Sequence, residues 1–122
     1  MATVLIVEDN AANMKLATFV LQSAGHVVLG ATDAETGLTV ARDAQPDLIL
    51  MDIQLPGMDG LEATQLLKAD GATQSIPVIA LTALAMKGDE ERIRAAGCDA
   101  YIAKPMRYKD VLATIAAQLA RA

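Results

Sequence analysis

The stretch LILMDIQLPGMDG, residues 48–60, carries an apolar run straight into Asp52 and then into a turn built from Pro56, Gly57 and Gly60. A continuous run of Leu, Ile and Met, with no polar residue alternating through it, reads as a strand covered on both faces, as in a parallel sheet. Asp52 thus closes the most apolar segment of the chain, where an isolated charge is most costly to bury. Some positive group has to offset it. Downstream, Pro56 and Gly57 suit a tight turn. Asp59, with Glu62 three places on, reads as a helix start ahead of Leu66 and Leu67.

Short runs rich in Val, Ile and Leu also occupy residues 4–7, 27–29 and 78–81, with a weaker one at 101–103. Segments of helical period lie between them. Asn10 can cap a helix in which Met14, Ala17, Leu21 and Ala24 share a face, and Gly25 suits its C-terminal stop. Thr32 and Glu35 read as a capping box for a second helix, with Ala34, Leu38 and Ala41 on one face and an end before Pro46. Residues 84–96 differ, because KGDEERIR offers Ile93 almost alone as a core anchor among charges that can pair along the helix. The last helix presents Leu112, Ile115, Ala116 and Leu119 on one stripe. Five alternations of strand and helix with short connections imply a parallel sheet with right-handed crossovers, hence an open, doubly wound α/β domain. Five strands are too few for an eight-stranded barrel.

Composition bounds the function. At 122 residues the chain has the size of one domain. We expect a single domain over 1–122 with no output domain. A hydrophobic content of 53% provides a core and excludes a disordered chain. Only Phe19, Tyr101 and Tyr108 are aromatic, so no platform exists for stacking bases. A formal net charge of -5 works against binding phosphate backbones. Cys98 stands alone, which excludes an internal disulfide and a multi-cysteine zinc site and suits a reducing compartment. No stretch approaches the roughly 20 apolar residues of a membrane span. A cytoplasmic protein that binds neither nucleic acid nor membrane is expected.

In open parallel sheets ligands bind outside the carboxyl ends of the strands. The residues that follow the runs are Glu8 and Asp9, then Asp52, Thr82, and Lys104 before Pro105. Three carboxylates, a hydroxyl and an ammonium should therefore share one edge. Carboxylates a few ångströms apart repel, and Lys104 offsets this only in part. An oxygen-only cluster suits a hard divalent ion, and magnesium typically takes one or two carboxylates, waters and a phosphate oxygen.

Four motifs, VLIVEDN at 4–10, DLILMDIQLPGMDG at 47–60, PVIALTA at 77–83 and YIAKP at 101–105, resemble the CheY-like receiver domain of two-component response regulators. The likeness covers essentially the whole chain. Within the family, NMKL and MKGDEERIRAAGC resemble stand-alone regulators of the DivK type. The resemblance implies a flavodoxin-like (βα)5 fold with strand order 2-1-3-4-5. It also implies that Asp52 accepts a phosphoryl group from the phosphohistidine of a kinase or phosphotransfer protein. Glu8 and Asp9 match the acidic pair that holds Mg2+, which the main-chain carbonyl of Gln54 would also ligate. Thr82 and Lys104 match residues that grip phosphoryl oxygens, the Lys104–Pro105 peptide matches one that is cis in the family, and Tyr101 matches the switch aromatic. The output face would be the fourth helix, fifth strand and fifth helix, meeting a state-dependent protein target.

The acidic pair is Glu-Asp rather than the common Asp-Asp. Gln54 and Leu84 occupy positions the family uses to tune phosphoryl lifetime. A flavodoxin would share the fold, but EDNAAN after the first strand is anionic where a phosphate loop should be rich in Ser and Thr. A phosphatase with an aspartyl-phosphate intermediate would want a second acid where Gln54 stands. The expected protein is a regulator and no turnover enzyme. Its alternatives are a phosphorelay shuttle and an adaptor that is never phosphorylated. His26 reads as a surface or packed residue, Cys98 as a small buried side chain, and Met14, Met51, Met58, Met86 and Met106 as core or turn fillers.

Overall fold

In the computed structural model residues 1–83 and 87–121 are described, residues 87 and 88 by backbone alone. Leu84 and Met86 lie outside the described residues. The order is β1 (Thr3–Val7), α1 (Ala11–Ser23), β2 (Val27–Ala31), α2 (Ala34–Ala44), β3 (Leu48–Asp52), α3 (Gly60–Ala69), β4 (Val78–Thr82), α4 (Lys87–Ala95), β5 (Ala100–Ala103) and α5 (Tyr108–Arg121). All four strand pairings are parallel, in the order β2-β1-β3-β4-β5. The doubly wound fold and its strand order are as expected.

Strand periodicity splits the core in two. Leu5, Val7, Ile49, Met51, Val78 and Ala80 face α2, α3 and α4 through Ala41, Leu67 and Ile93. Their neighbours Val4, Ile6, Leu48, Leu50, Ile79 and Leu81 face α1 and α5 through Leu21, Val111 and Ile115. Every residue of β3 and β4 is buried, because both strands lie inside the sheet and are covered on both sides. The edge strand β2 is only partly buried. Among the described residues no helix is long and apolar enough to cross a membrane.

Local chemistry sets the helix ends. The Asn10 side chain accepts from Asn13 N at 2.9 Å, and Asp59 accepts from Glu62 N at 2.9 Å, so both expected caps form. The capping box expected at Thr32 and Glu35 does not. β2 runs on to Ala31, α2 begins at Ala34, and Asp33 takes the cap, accepting from Thr36 N at 2.7 Å. Its extended backbone and its charge at the helix N-terminus favour it there. On α5 the buried stripe is Val111, Ile115 and Gln118, while Ala116 is exposed. A polar residue in the buried row concealed that phase. α4 holds the sheet through Ile93, with Ala96 just beyond its end.

Candidate functional site

The carboxyl ends of β1, β3 and β5 bring four of the sequence-predicted residues together. Glu8 follows β1 and its N–H pairs with Ala31 O at 3.0 Å, so its side chain is held from the first residue past the strand. It is fully buried, and Asp52 is 2% exposed. Asp9 lies beside Glu8 and is exposed. One carboxylate oxygen from each of Glu8, Asp9 and Asp52 lies within 4.8 Å of the others. Lys104, just past β5, reaches both buried acids, with Nζ 3.0 Å from Glu8 Oε1 and 3.1 Å from Asp52 Oδ2. The second Asp52 oxygen, Oδ1, accepts from Gln54 N at 2.9 Å. The Lys104–Pro105 peptide is cis.

The electrostatics are unbalanced. Like charges about 4 Å apart repel by roughly 4 kcal/mol at an effective dielectric of 20. Among the described residues, three carboxylates share one nearby ammonium. Burial, followed by the adjoining Asp52 carboxylate, pushes Glu8 up to about 7 against the pull of Lys104. Burial also pushes Asp52 up, but a hydrogen bond from Glu8, the Gln54 N–H and Lys104 outweigh it and hold Asp52 below the usual carboxylate range. The pair therefore keeps a proton on Glu8 and the charge on Asp52, which has two fixed donors. Burial pushes Lys104 down, but both acids overcome it and raise the ammonium above its ordinary value.

Glu8 Oε1 marks what is missing from this balance. Among the described residues it is the buried side-chain oxygen with no hydrogen-bond partner, since Lys104 stands close but off the angle a hydrogen bond requires. An orphaned buried carboxylate oxygen beside two further carboxylates fits a small divalent cation with oxygen ligands.

Thr82 ends β4, fully buried, and its carbonyl accepts from Lys104 N at 2.7 Å. Tyr101 pairs with Ala80 in the sheet and packs, half-buried, on the α2–α3–α4 side. Strand parity places Thr82 on the same face as Ala80, hence on the face of Tyr101. Thr82 therefore stands at the carboxyl end of β4, on the face of the sheet that carries Tyr101. Sequence reasoning missed the contact of Gly60 with the Asp52 backbone, reading LPGMDG as turn geometry alone. The sequence carried no signal for it, because the backbone that Gly60 meets is set by the fold.

This α/β domain, with an acidic rim and a lysine at the carboxyl ends of its parallel strands, belongs to the response regulator receiver domain family, which matches residues 4–116. Among its relatives, the polar-differentiation response regulator DivK of Brucella anthropi is 50% identical over 117 residues, spanning 96% of this chain and 95% of that one. DivK of Brucella ovis is equally similar. Of solved structures, the receiver domain of the sensor histidine kinase PA1611 from Pseudomonas aeruginosa, with a magnesium ion coordinated in its active-site cleft, superposes with a TM-score of 0.91. It is 34% identical, and the match covers 98% of each chain. The chemotaxis response regulator CheY4 of Vibrio cholerae gives a TM-score of 0.92 at 27% identity, covering 97% of this chain and 98% of that one.

Proposed function

We propose that this chain is a single-domain response regulator that accepts a phosphoryl group on Asp52 from the phosphohistidine of a histidine kinase or phosphotransfer protein. One observation carries the reading: Asp52 is a buried carboxylate kept ionised, with Gln54 N–H on one oxygen and Lys104 on the other. That is a placed nucleophile. In the transfer an Asp52 oxygen forms the bond to phosphorus as the bond from phosphorus to the histidine nitrogen breaks, and that nitrogen leaves with the electron pair.

Lys104 supplies positive charge for the equatorial oxygens of the phosphoryl group, and its position against both acids needs no rearrangement. Glu8, Asp9, Asp52 and the main-chain carbonyl of Gln54 would hold Mg2+, which when bound offsets charge on the phosphoryl oxygens. Once formed, the phosphoryl adds about -1.5 to -2 in charge and strong acceptor oxygens. These draw in the Thr82 hydroxyl, and the space vacated behind it admits the half-buried Tyr101 on the same face. α4, anchored mainly by Ile93, is the element free to shift. The α4–β5–α5 face is then the state-dependent docking surface for a protein target.

The protein acts on its own aspartate and turns over no separate substrate. Its free, buried Cys98 suits a reducing compartment, and we place it in the cytoplasm. The test is incubation with Mg2+ and acetyl phosphate, comparing wild type with Asp52→Asn on a phosphate-retarding gel. Wild type should shift and the variant should not. Equal labelling of both removes Asp52 as the acceptor, and no labelling of either favours an adaptor that works unphosphorylated.

A further inference from the structure

We infer that Gly60 is a positioning residue for Asp52: lacking a side chain, it lets the first turn of α3 rest on the Asp52 backbone and so sets the direction of the carboxylate. This rests on the proposed role of Asp52. Gly60 is buried, and its N–H donates to Ile53 O at 3.3 Å. A Cβ built on it would overlap the Asp52 carbonyl oxygen and come within 2.7 Å of Ile53 Cα and 2.8 Å of the Asp52 carbonyl carbon. All three are backbone atoms, which cannot swing aside as a side chain does.

The requirement is for space and not for conformation, since Gly60 has no positive φ. Gly57 in the same turn is the converse, with φ of 74° and open space around it. α3 is also tied where it stands. Ala63 and Leu67 of its buried face sit in the core, Lys68 Nζ lies 2.9 Å from Ile76 O and 3.0 Å from Asp99 Oδ2, and Cys98 Sγ donates to the buried Thr64 hydroxyl at 3.8 Å. A methyl at 60 therefore cannot be relieved by sliding α3 outward without breaking those contacts. The displacement falls on the Asp52–Ile53 peptide, and with it go the Gln54 N–H at Oδ1 and Lys104 at Oδ2.

Gly60→Ala is compared with Gly97→Ala, between α4 and β5 and beside Lys68 in the last turn of α3. There the backbone has φ of 105° and an added Cβ would meet the flexible Lys68 side chain at 2.9 Å, so stability falls without contact with Asp52. Both variants should unfold at lower urea concentration than wild type. Only Gly60→Ala should slow phosphorylation by acetyl phosphate per folded molecule, by about tenfold or more, and shift the Gln54 amide resonance. A wild-type rate and an unmoved Gln54 amide in Gly60→Ala overturn the inference. Should that variant fail to fold, Thr64→Val decides, because it removes the hydroxyl that braces Gly60 O in the first turn of α3 and meets Cys98, without adding bulk. A shifted Gln54 amide and a rate reduced about twofold or more support positioning, and wild-type behaviour overturns it. If the wild-type protein itself takes no phosphoryl group, the reading of Asp52 as acceptor fails. The Gln54 amide still reports whether Gly60 orients the carboxylate.

Discussion

The two rims of the sheet use the same residue types for opposite ends. At the amino rim, the residue before a strand closes the neighbouring strand with its side chain. His26 Nδ1 accepts from Ala2 N at 3.1 Å, Asp47 Oδ2 from Thr3 N at 2.8 Å, and Asp99 Oδ2 from Val78 N at 2.9 Å. The residue before β4 is Pro77, whose ring carries no acceptor, and there the main-chain carbonyl accepts from Ile49 N at 2.9 Å instead. Asp99 also pairs with Lys68 at 3.0 Å. Each acid there meets donors that need it. At the carboxyl rim, Glu8, Asp9 and Asp52 crowd around Lys104, and Glu8 Oε1 is left without a hydrogen bond. One rim closes the fold; the other keeps a buried oxygen unsatisfied.

The widest separation between the rims should come from pH. The folded state holds Glu8 at about 7, against 4.5 for the free group, so between these values the folded chain keeps a proton that the unfolded chain has lost. The associated stability is complete below pH 4.5 and is lost as pH rises through about 7. At roughly 1.4 kcal/mol per pH unit the swing is about 3 kcal/mol. Asp52 acts in a different window, because its depressed value stabilises above the ordinary carboxylate range and that contribution is lost only on further acidification. Urea unfolding at fixed pH steps, without divalent ions, should show the fall, and Glu8→Gln should flatten it and stabilise the protein at pH 8. A wild-type profile already flat from pH 4.5 to 8 would make the carboxyl rim as well balanced as the other.

Magnesium sharpens the contrast from the other side. Binding should favour the ionised rim, so affinity should rise with pH until Glu8 is deprotonated near 7. Asp9→Ala removes a carboxylate that does little for the fold, being exposed, and should weaken Mg2+ by about tenfold or more. Isothermal titration of wild type and variant checks both. Unchanged affinity in Asp9→Ala would move the ion away from this rim.

The difference between the rims also explains what was legible beforehand. Glu8, Asp9, Asp52, Thr82 and Lys104 each follow an apolar run, and a parallel sheet gathers whatever follows its strands, so their convergence could be read from order alone. Asp47 and Asp99 precede strands and do their work through backbone N–H groups, whose register only the paired sheet reveals. At residues 32–36 two capping patterns one residue apart compete, and where β2 lets the chain go decides for Asp33. Gly60 was hidden because its meaning lies in the neighbouring backbone, and Gln118 because a polar residue stands in a buried row.

The smallest effect is the most telling in sign. Asp99→Asn keeps an oxygen for Val78 N but removes the charge facing Lys68, whose ammonium retains Ile76 O at 2.9 Å. Both partners of that pair are partly exposed, so solvent screens the attraction and the loss should be only about 0.5 kcal/mol. Neutralising Glu8 by the same acid-to-amide change should instead stabilise the metal-free protein at pH 8, because it removes a like-charge contact. Urea midpoints of the two variants at pH 8 should therefore move in opposite directions from wild type. If Asp99→Asn also raises the midpoint, repulsion is general to this acidic chain and is not confined to the rim that carries Asp52.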